Sequence, residues 1–383
     1  MQMEPTRRCL VARARHVLGW LAILSMAACS TPAQLQSAAS KPQYLYAANG
    51  ASNTVSAYRI NASTGALTQV PGSPFATSDS RFITVNPAST FAYVQSFFDG
   101  TISAYRINAA TGALTPVPGS PFSTGYDASR IAINPAGTFA YVSSESSNTV
   151  SAYRIDASTG ALAPIPGSPF PVASKPSSVT IDPAGSFAYV VTYGASPHDG
   201  TVSIFSIDAS SGVLKPVTSR PFVTGNDADS ITINSNGAFA YMAAKKTVSA
   251  YHVNTATGAL TPIPGSPFSA GNSQNCSCSV TINPDGTFAY VAGSNPNIYS
   301  GISTFSINSS IGALTEISGS PFVVGTDMAP VVLSPAGTFI YQGGTGRSLS
   351  ASRVDPATGA LSPVLGSPFP AGDNPMSIAV AQP

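Results

Sequence analysis

The feature that most constrains this chain is a short phrase, TGALTPVPGSPF at residues 111–122, which recurs in variant form along the whole sequence. The glycine of its TGAL portion returns at intervals of 47, 48, 52, 46, 54 and 47 residues. These glycines are Gly65, Gly112, Gly160, Gly212, Gly258, Gly312 and Gly359. A period of about 49 residues is typical of a repeat architecture, so one repeat predicts the fold of the rest.

One repeat contains four short runs with the pattern of β-strands. In the third repeat they cover residues 130–134, 138–142, 149–155 and 161–165, and turn signals rich in Pro, Gly, Ser and Asp separate them. This spacing is typical of an all-β array joined by hairpins. The fourth run carries prolines, which cannot donate to a strand ladder, so we expect it to be an edge strand.

The second run is apolar on both faces. Phe139 and Tyr141 point one way, Ala140 and Val142 point the other way, and neither pair is polar. Both faces of each four-stranded sheet must therefore be covered by neighbouring sheets, which favours the radial packing of a β-propeller. A linear stack is less favourable because it leaves two apolar end faces that need capping repeats.

The two ends of the repeat region complement each other. Residues 43–47 align with a second strand, so the first repeat lacks its opening strand, and residues 374–380 align with the opening strand at 177–181. We therefore predict a seven-bladed all-β propeller over residues 43–383, with four antiparallel strands per blade. The C-terminal strand closes the ring by joining the N-terminal blade.

The N-terminus has the pattern of an export signal. Residues 1–16 are basic, and residues 17–28 form an apolar run of 12 residues, too short to span a bilayer. We predict a signal peptide over residues 1–28 and a flexible tether over residues 29–42. Residues 26–29, Met-Ala-Ala-Cys, resemble the lipobox of bacterial lipoproteins. The resemblance implies lipidation at Cys29 and a periplasmic or outer-membrane location, with a plain secretory signal as the alternative.

The charge balance excludes one class of partner. Only 9% of the residues are charged, and after residue 29 there are 13 basic and 15 acidic residues. Such a chain has no broad basic surface for nucleic acid. We expect a monomer without a cofactor, in contact with a membrane only through its lipid anchor.

Residues that recur in every blade are expected to be structural. One tyrosine recurs in the second strand and one phenylalanine follows the fourth, and we assign both to packing. Arginine recurs in the third strand with His252 in register, so we assign that position to the framework. The members are Tyr46, Tyr93, Tyr141, Tyr189, Tyr241, Tyr290 and Tyr341; Phe75, Phe122, Phe170, Phe222, Phe268, Phe322 and Phe369; Arg59, Arg106, Arg154 and Arg353.

Function is expected where the repeats differ. In a propeller, the loops before the first strands and after the second strands share one end, here called the mouth. The candidate ligand-binding residues of the mouth are Asp79, Asp127, Lys175, Asp227, Asp229 and Asp327. A polar mouth over a central channel is a default binding site, although Asp and Lys here also fit solvated turns.

The repeat resembles the seven-bladed lactonase family, which includes 6-phosphogluconolactonases and muconate-cycloisomerase-like proteins. The resemblance rests on Asn-Pro-x-Gly-Thr-Phe-Ala-Tyr-Val, Thr-Val-Ser-Ala-Tyr-Arg-Ile and Thr-Gly-Ala-Leu. It implies catalytic groups at Arg130, Glu145 and Arg81, with both arginines at one shared position. The family's following histidine is replaced by Phe82 and Ile131, so no histidine stands ready as a general base.

Two functions stay open at this point. One is an envelope-anchored binding module that recognises a small molecule, a glycan or an envelope protein at the mouth, and the missing histidine favours it. The other is a lactone hydrolase, which the family resemblance favours.

Metal chemistry has weak support in the sequence. Cys276 and Cys278 form a CxC that favours a local disulfide or two plain thiols over zinc, since a second ligand pair is lacking. Residues 227–229, Asp-Ala-Asp, lack the glycine and the final acid of a calcium loop. We therefore predict no metal site.

Overall fold

The structure is a computed structural model that describes residues 41–125, 127–193, 200–217, 222–224, 229–244, 247–270, 279–295, 298–324, 331–344 and 346–383. Seven antiparallel sheets, here called blades 1 to 7 in chain order, make up this part of the chain. Together they form the seven-bladed β-propeller, so the predicted fold class is confirmed. Within the described residues no helix is long and apolar enough to cross a membrane.

Each blade has four strands, and a two-residue fifth segment also pairs with the third strand. The four strands follow one another in sequence in every blade but blade 1, whose first strand comes from the C-terminal end of the chain. The first strands are Pro375–Ala381, Ser80–Val85, Ala128–Ile133, Pro176–Ile181, Thr232–Ile233, Val280–Ile282 and Val331–Leu333. The second strands are Gln43–Asn49, Phe91–Ser96, Phe139–Ser144, Phe187–Thr192, Phe239–Ala244, Phe288–Asn295 and Phe339–Gln342. The third strands are Thr54–Ile60, Thr101–Ile107, Thr149–Ile155, Thr201–Ile207, Thr247–Val253, Ile298–Ile307 and Ser348–Val354.

The fourth strands are Leu67–Gln69, Leu114–Pro116, Leu162–Pro164, Leu214–Pro216, Leu260–Pro262, Leu314–Glu316 and Leu361–Pro363. The fifth segments are Phe75–Ala76, Phe122–Ser123, Phe170–Pro171, Phe222–Val223, Phe268–Ser269, Phe322–Val323 and Phe369–Pro370. Both pair only with the third strand of their own blade, so the proline-bearing run lies at the blade edge, as predicted.

The ring closes through blade 1. Pro375–Ala381 pairs antiparallel with Gln43–Asn49, from Tyr44 opposite Ala381 to Asn49 opposite Pro375. The predicted closure by the C-terminal strand is therefore confirmed, one residue later than the sequence suggested. Blade 1 thus takes its first strand from one end of the repeat region and its other strands from the other end.

The apolar core lies between blades rather than inside one central core. Seven buried clusters each combine residues from two neighbouring blades. Phe139 and Tyr141 of blade 3, for example, pack with Val190 and Phe205 of blade 4. This arrangement explains why both faces of every second strand are apolar, since each face meets a different neighbour.

Two structural features require glycine at the repeated TGAL position. At Gly160 the backbone φ is +80°, and a Cβ atom there would lie 2.4 Å from Cδ1 of Phe91 in the preceding blade. Glycine alone combines this conformation with this close approach. The other six TGAL glycines meet an aromatic ring in the same way.

The carbonyl of that glycine also accepts a hydrogen bond from the recurring second-strand tyrosine. Tyr93 Oη donates to the Gly160 carbonyl at 3.0 Å. Six of the seven tyrosines make this bond to the next blade, among them Tyr341, which closes the circle on Gly65 at 3.0 Å. The exception is Tyr290, whose Oη has no hydrogen-bond partner within the described residues. The tyrosines are fully buried, so their assignment to the framework is confirmed.

The third-strand arginines are framework as well. Arg154 lies with Cζ 4.8 Å from the ring centre of Phe139 and donates to the Ser210 carbonyl of the next blade at 3.0 Å. Arg106 and Arg353 repeat this arrangement. His252 packs edge-on to Phe239, with ring centres 5.9 Å apart, and so fills the same position.

The candidate site at the channel mouth

The two sets of mouth loops are joined by backbone hydrogen bonds. The Glu145 N–H donates to the Asp127 carbonyl at 3.2 Å, and the Tyr193 N–H donates to the Lys175 carbonyl at 3.0 Å. In blades 3 and 4 these contacts link the residue after the second strand to the loop before the first strand. Both sets therefore lie at one end, and the Asn-Pro-x-Gly and Thr-Gly turns lie at the other, here called the turn end.

The first strands line a central cavity of about 270 Å³. Six lining residues occupy one equivalent level, because each stands two residues before the first-strand residue that pairs with the recurring tyrosine. This level, here called the lumen ring, consists of Phe82, Arg130, Ser178, Ser230, Ser279 and Ser377. Among these described residues Arg130 carries the single charge.

Arg130 reaches the lumen from a β-bulge. The pairing of Ala128 with Ser144 is followed by that of Ile131 with Val142, so two residues of the first strand face Ser143 alone. Bulges of this kind re-aim a side chain. The Arg130 Cζ lies 5.3 Å from the ring centre of Phe82, the equivalent residue of blade 2.

The surroundings of Arg130 are deep and partly acidic. Part of its surface faces the open lumen, but protein surrounds it on most sides, and this desolvation lowers the pKa of the guanidinium. Asp229 and Tyr193 act in the opposite direction and favour its charged form. Arg130 of blade 3 therefore shares an electrostatic environment with residues from the two following blades.

Tyr193 and Asp229 form a short hydrogen bond. Tyr193 Oη donates to Asp229 Oδ1 at 2.6 Å. Burial raises the pKa of the Tyr193 phenol, Asp229 and then Glu145 raise it further, and Arg130 opposes them. The phenol therefore keeps its proton near neutral pH. Arg130, Glu145, Tyr193 and Asp229, here called the mouth cluster, belong to blades 3, 4 and 5. They are linked through Tyr193, which bonds to Asp229 and lies within electrostatic range of Arg130 and Glu145.

Tyr193 is the site residue that the sequence analysis missed. It follows the second strand of blade 4, as Glu145 follows the second strand of blade 3, and both make the same backbone hydrogen bond. A comparison of the repeats at the Glu145 position identifies Tyr193 as its counterpart. Asp229, predicted as a ligand-binding residue, lies in the mouth cluster.

The prediction that Arg81 and Arg130 share one position is wrong. The register of blade 2 makes Phe82 the equivalent of Arg130 and places Arg81 one residue earlier, at the bulge. Arg81 Nε lies 3.8 Å from Asp79 Oδ1, and its Cζ lies 5.0 and 4.7 Å from the ring centres of Phe97 and Phe98. Arg81 is thus engaged within its own blade and does not line the described cavity.

The remaining predicted mouth residues divide into three groups. Asp79 accepts the Phe98 N–H at 2.7 Å, and Asp127 accepts the Ser146 hydroxyl, so both serve their own loops. Lys175 is exposed. Several predicted residues lie outside the described residues: Cys29, Asp227, Cys276, Cys278 and Asp327.

A closed ring of seven blades with a single charged side chain in its described lumen ring defines a propeller with a channel-mouth site. The family model described as "Lactonase, 7-bladed beta-propeller" matches residues 27–125 and 82–273. These matches cover more than half of the chain, which therefore belongs to that family. No curated protein matches the sequence.

Solved structures share the fold at low sequence identity. A putative 6-phosphogluconolactonase from Bacteroides fragilis is 18% identical, with a TM-score of 0.73 over 91% of this chain and 100% of its own. The corresponding Bacteroides uniformis protein is 18% identical, with a TM-score of 0.74 over 89% and 99%. The periplasmic gluconolactonase PpgL of Pseudomonas aeruginosa is 17% identical, with a TM-score of 0.73 over 89% and 100%. At these identities the likeness shows the fold alone.

Proposed function

We propose that this protein is a lactone hydrolase that opens a cyclic ester at the channel mouth. The observation that carries the proposal is the mouth cluster, in which Arg130 lines the lumen, Asp229 and Tyr193 lie within its electrostatic range, and Glu145 lies within that of Tyr193. Ester hydrolysis is accelerated by a cation near the carbonyl oxygen and by a general base, such as a carboxylate, near the attacking water. This cluster supplies both from blade 3, with Arg130 as the cation and Glu145 as the carboxylate.

Arg130 is the group that stabilises developing negative charge. As water adds to the lactone carbonyl, the carbonyl oxygen becomes an oxyanion, and a guanidinium aimed at it lowers the barrier. Phe82 packs against the guanidinium on one side, and Asp229 favours its charged form. These contacts hold the cation in place before substrate enters, so little reorganisation is needed during the reaction.

Glu145 is the general base in this scheme. It takes a proton from water as the new C–O bond forms, and it returns that proton to the ring oxygen when the acyl C–O bond breaks. The product is the open-chain hydroxy acid, so lactone and water are fully accounted for. Tyr193 is a positioning residue, because its hydroxyl is already donated to Asp229 and fixes that carboxylate beside Arg130.

Family membership supports this proposal over the binding-module hypothesis. Two of the similar structures are titled putative 6-phosphogluconolactonases, and a third is titled a periplasmic gluconolactonase. The absent histidine, which favoured a binding module, matters less because Glu145 provides a base. Lipidation at Cys29, location in the envelope and a glycan or protein partner remain predictions.

The test is lactone hydrolysis by the purified chain, followed by pH-stat on sugar lactones and simple lactones. Removal of one oxyanion-stabilising donor typically costs about 10²–10³-fold in kcat, and we expect this loss for Arg130→Ala. Glu145→Gln should show a loss of similar size because it removes the base. Arg347→Ala is the matched control, since Arg347 is an exposed mouth arginine that donates to Asp373 at 2.9 Å.

Turnover that survives in both Arg130→Ala and Glu145→Gln would contradict the assigned site. A folded protein without enzyme-dependent hydrolysis of any lactone would contradict the proposed function and return the binding module to first place.

A further inference from the structure

We infer that a pocket at the turn end of blade 1, here called the seam pocket, binds a phosphate group. The pocket has a volume of about 320 Å³, and the lining residues that set its chemistry are Lys41, Arg59, Asn61, Ser63 and Thr68. Lys41 precedes the second strand and Asn61 follows the third, so the pocket lies away from the mouth cluster. The inference therefore goes beyond the proposed function and does not depend on it.

The seam pocket lies where blade 1 lacks a turn. In the other six blades a turn related to Asn-Pro-x-Gly joins the first strand to the second, whereas blade 1 takes its first strand from the C-terminal end of the chain. By the pairing of the second strand with the third, Lys41 takes the place that Ala88 has in the turn of blade 2. The other blades hold alanine, asparagine or aspartate at this place. An exposed cation there is thus particular to blade 1.

Arg59 supplies a second cation, because blade 1 does not use it as framework. In blades 2, 3 and 7 the equivalent arginine stacks on a phenylalanine ring and donates to a carbonyl of the next blade. Blade 1 has Tyr44 in place of that phenylalanine, and the Tyr44 Oη donates to the Ala109 carbonyl of blade 2 at 3.3 Å. Within the described residues the exposed Arg59 makes no such stacking contact, hydrogen bond or ion pair. Its guanidinium can therefore bond to a ligand.

The rest of the lining complements these two cations. Thr68 is the direct partner of Arg59 between the third and fourth strands, so both side chains lie on one face of the sheet. Asn61 Oδ1 accepts the Ser63 N–H at 3.0 Å, and the Asn61 amide nitrogen makes no hydrogen bond in the described part of the chain. The Ser63 carbonyl accepts a bond from Arg353 at 2.8 Å, which brings a third cation close to the pocket. No acid is among the described residues that line it.

This set of donors fits a phosphate better than a carboxylate. A guanidinium can bond to two phosphate oxygens at once, and a lysine ammonium adds a point charge. The Thr68 hydroxyl and the Asn61 amide are neutral donors for further oxygens. A carboxylate has only two oxygens and one charge, so it would leave part of this set unused. The pocket volume lies at the low end of the usual range of about 300–1,000 Å³ for small-molecule sites, which leaves room for the organic part of a phosphate ester.

Two sources of phosphate share this chemistry: a soluble phosphate ester and a phospholipid headgroup. The lipid source has one further support in the sequence. Residues 29–42 are predicted to be a tether behind a lipid anchor at Cys29, and Lys41 belongs to that segment. The experiment therefore has a soluble arm and a membrane arm.

The soluble arm is calorimetry of the full chain with inorganic phosphate and with glycerol 3-phosphate. Arg59→Gln and Lys41→Gln should each raise the Kd by about tenfold, the effect of losing a charge-assisted hydrogen bond. Arg59→Lys should cost less than Arg59→Gln, because it keeps the charge and loses only the forked geometry. Lys215→Gln is the matched control, since Lys215 is an exposed cation on the fourth strand of blade 4.

The membrane arm is sedimentation of the full chain with vesicles of mixed phosphatidylglycerol and phosphatidylcholine. All variants share the same N-terminal segment, so differences between them report the pocket. The double variant Lys41→Gln/Arg59→Gln should lower the partition coefficient by roughly tenfold or more. The control is the double variant Lys175→Gln/Lys215→Gln, which removes the same charge from exposed positions elsewhere.

The outcomes separate the two sources and can overturn the inference. Soluble binding that weakens in Arg59→Gln and Lys41→Gln, but not in the control, assigns a soluble phosphate ester. A specific loss confined to the vesicles assigns a phospholipid headgroup. The inference is overturned by absence of binding in both arms, by binding that the pocket variants leave unchanged, or by acetate that binds as tightly as phosphate. None of these measurements involves lactone hydrolysis, so this inference and the proposed function can fail separately.

Discussion

At the turn end of the ring every blade repeats the same glycine–aromatic contact, whereas at the mouth neighbouring blades present different side chains at equivalent positions. The TGAL glycine meets an aromatic ring in all seven blades. At the mouth, by contrast, the position after the second strand holds Phe97, Glu145 and Tyr193 in three successive blades. Contacts that recur from blade to blade therefore stabilise the ring, and functional residues are expected at positions where the blades differ.

The largest effect on stability is expected when the ring is opened. Deletion of residues 374–383 removes the first strand of blade 1 and exposes the cluster that contains Ile378. We expect a melting temperature lower by roughly 15 °C or more, or loss of cooperative folding. Deletion of Pro383 alone is the control. A truncated protein that melts at the original temperature would mean that the closing strand is dispensable.

The next largest effect is alkaline destabilisation of the repeated framework. Burial raises the pKa of all seven recurring tyrosines above the ordinary value of 10.0. Above pH 10 the unfolded chain releases these protons while the folded chain keeps them, so stability is full below that pH and falls above it. Each tyrosine contributes a loss of up to about 1.4 kcal/mol per pH unit.

Denaturant unfolding at pH 8, 9, 10 and 11 measures this effect. We expect nearly constant contributions from these tyrosines up to pH 9 and a steep loss of the free energy of unfolding beyond pH 10. Equal stability at pH 9 and pH 11 would be incompatible with seven buried neutral phenols.

A single framework glycine gives a smaller, local effect. Gly160→Ala places a Cβ atom 2.4 Å from the Phe91 ring at a φ of +80°, and we expect a loss of about 2–4 kcal/mol in the free energy of unfolding. Gly286→Ala is the matched control, since Gly286 has a φ of +69° but nothing within 4 Å of the added Cβ. Chemical denaturation of both variants separates the free-energy cost of the steric clash from that of an alanine at positive φ. Equal losses would show that the aromatic contact has no energetic role.

The smallest expected effect comes from a comparison of two arginines at the mouth, Arg81 and Arg130. Because Arg81 is held by Asp79, Phe97 and Phe98 in its own blade, Arg81→Ala should change kcat/KM by less than about threefold. Arg130→Ala should lose far more, as argued for the oxyanion. A loss of comparable size in Arg81→Ala would place both arginines in the reaction after all.

The framework could be predicted from the sequence because its residues recur, so that a feature of one repeat can be compared with the same position in the others. The second-strand tyrosine is seen in several copies and the closing strand at complementary chain ends, so their roles could be predicted and are confirmed. The TGAL glycine marked the repeat in the sequence, but its contact with an aromatic ring was not predicted. The short fifth segment at Phe75–Ala76 and its equivalents was not predicted. Two residues carry too little alternation to indicate a strand.

The mouth could be predicted only in part. Arg81 and Arg130 both follow a serine near the start of a first strand, yet Arg81 stands five residues before Asn86 and Arg130 stands four residues before Asn134. The two arginines are therefore one residue out of register, and only Arg130 lines the described cavity. Counting back from the Asn-Pro turn of each repeat reveals this difference. Tyr193 was missed because a tyrosine next to a strand is ordinarily packing, and its role depends on Asp229 in the following blade.

The way the chain enters the ring has a consequence for access. Gln43–Asn49 is a second strand, so Gln43 stands at the turn end and the strand runs towards the mouth. Pro375–Ala381 runs back again, which leaves Ala381 beside Tyr44. Both ends of the ring-forming segment thus emerge on the side away from Arg130. An attachment made through Gln43 or Ala381 would therefore meet the turn end of the ring, and the mouth lies at the opposite end.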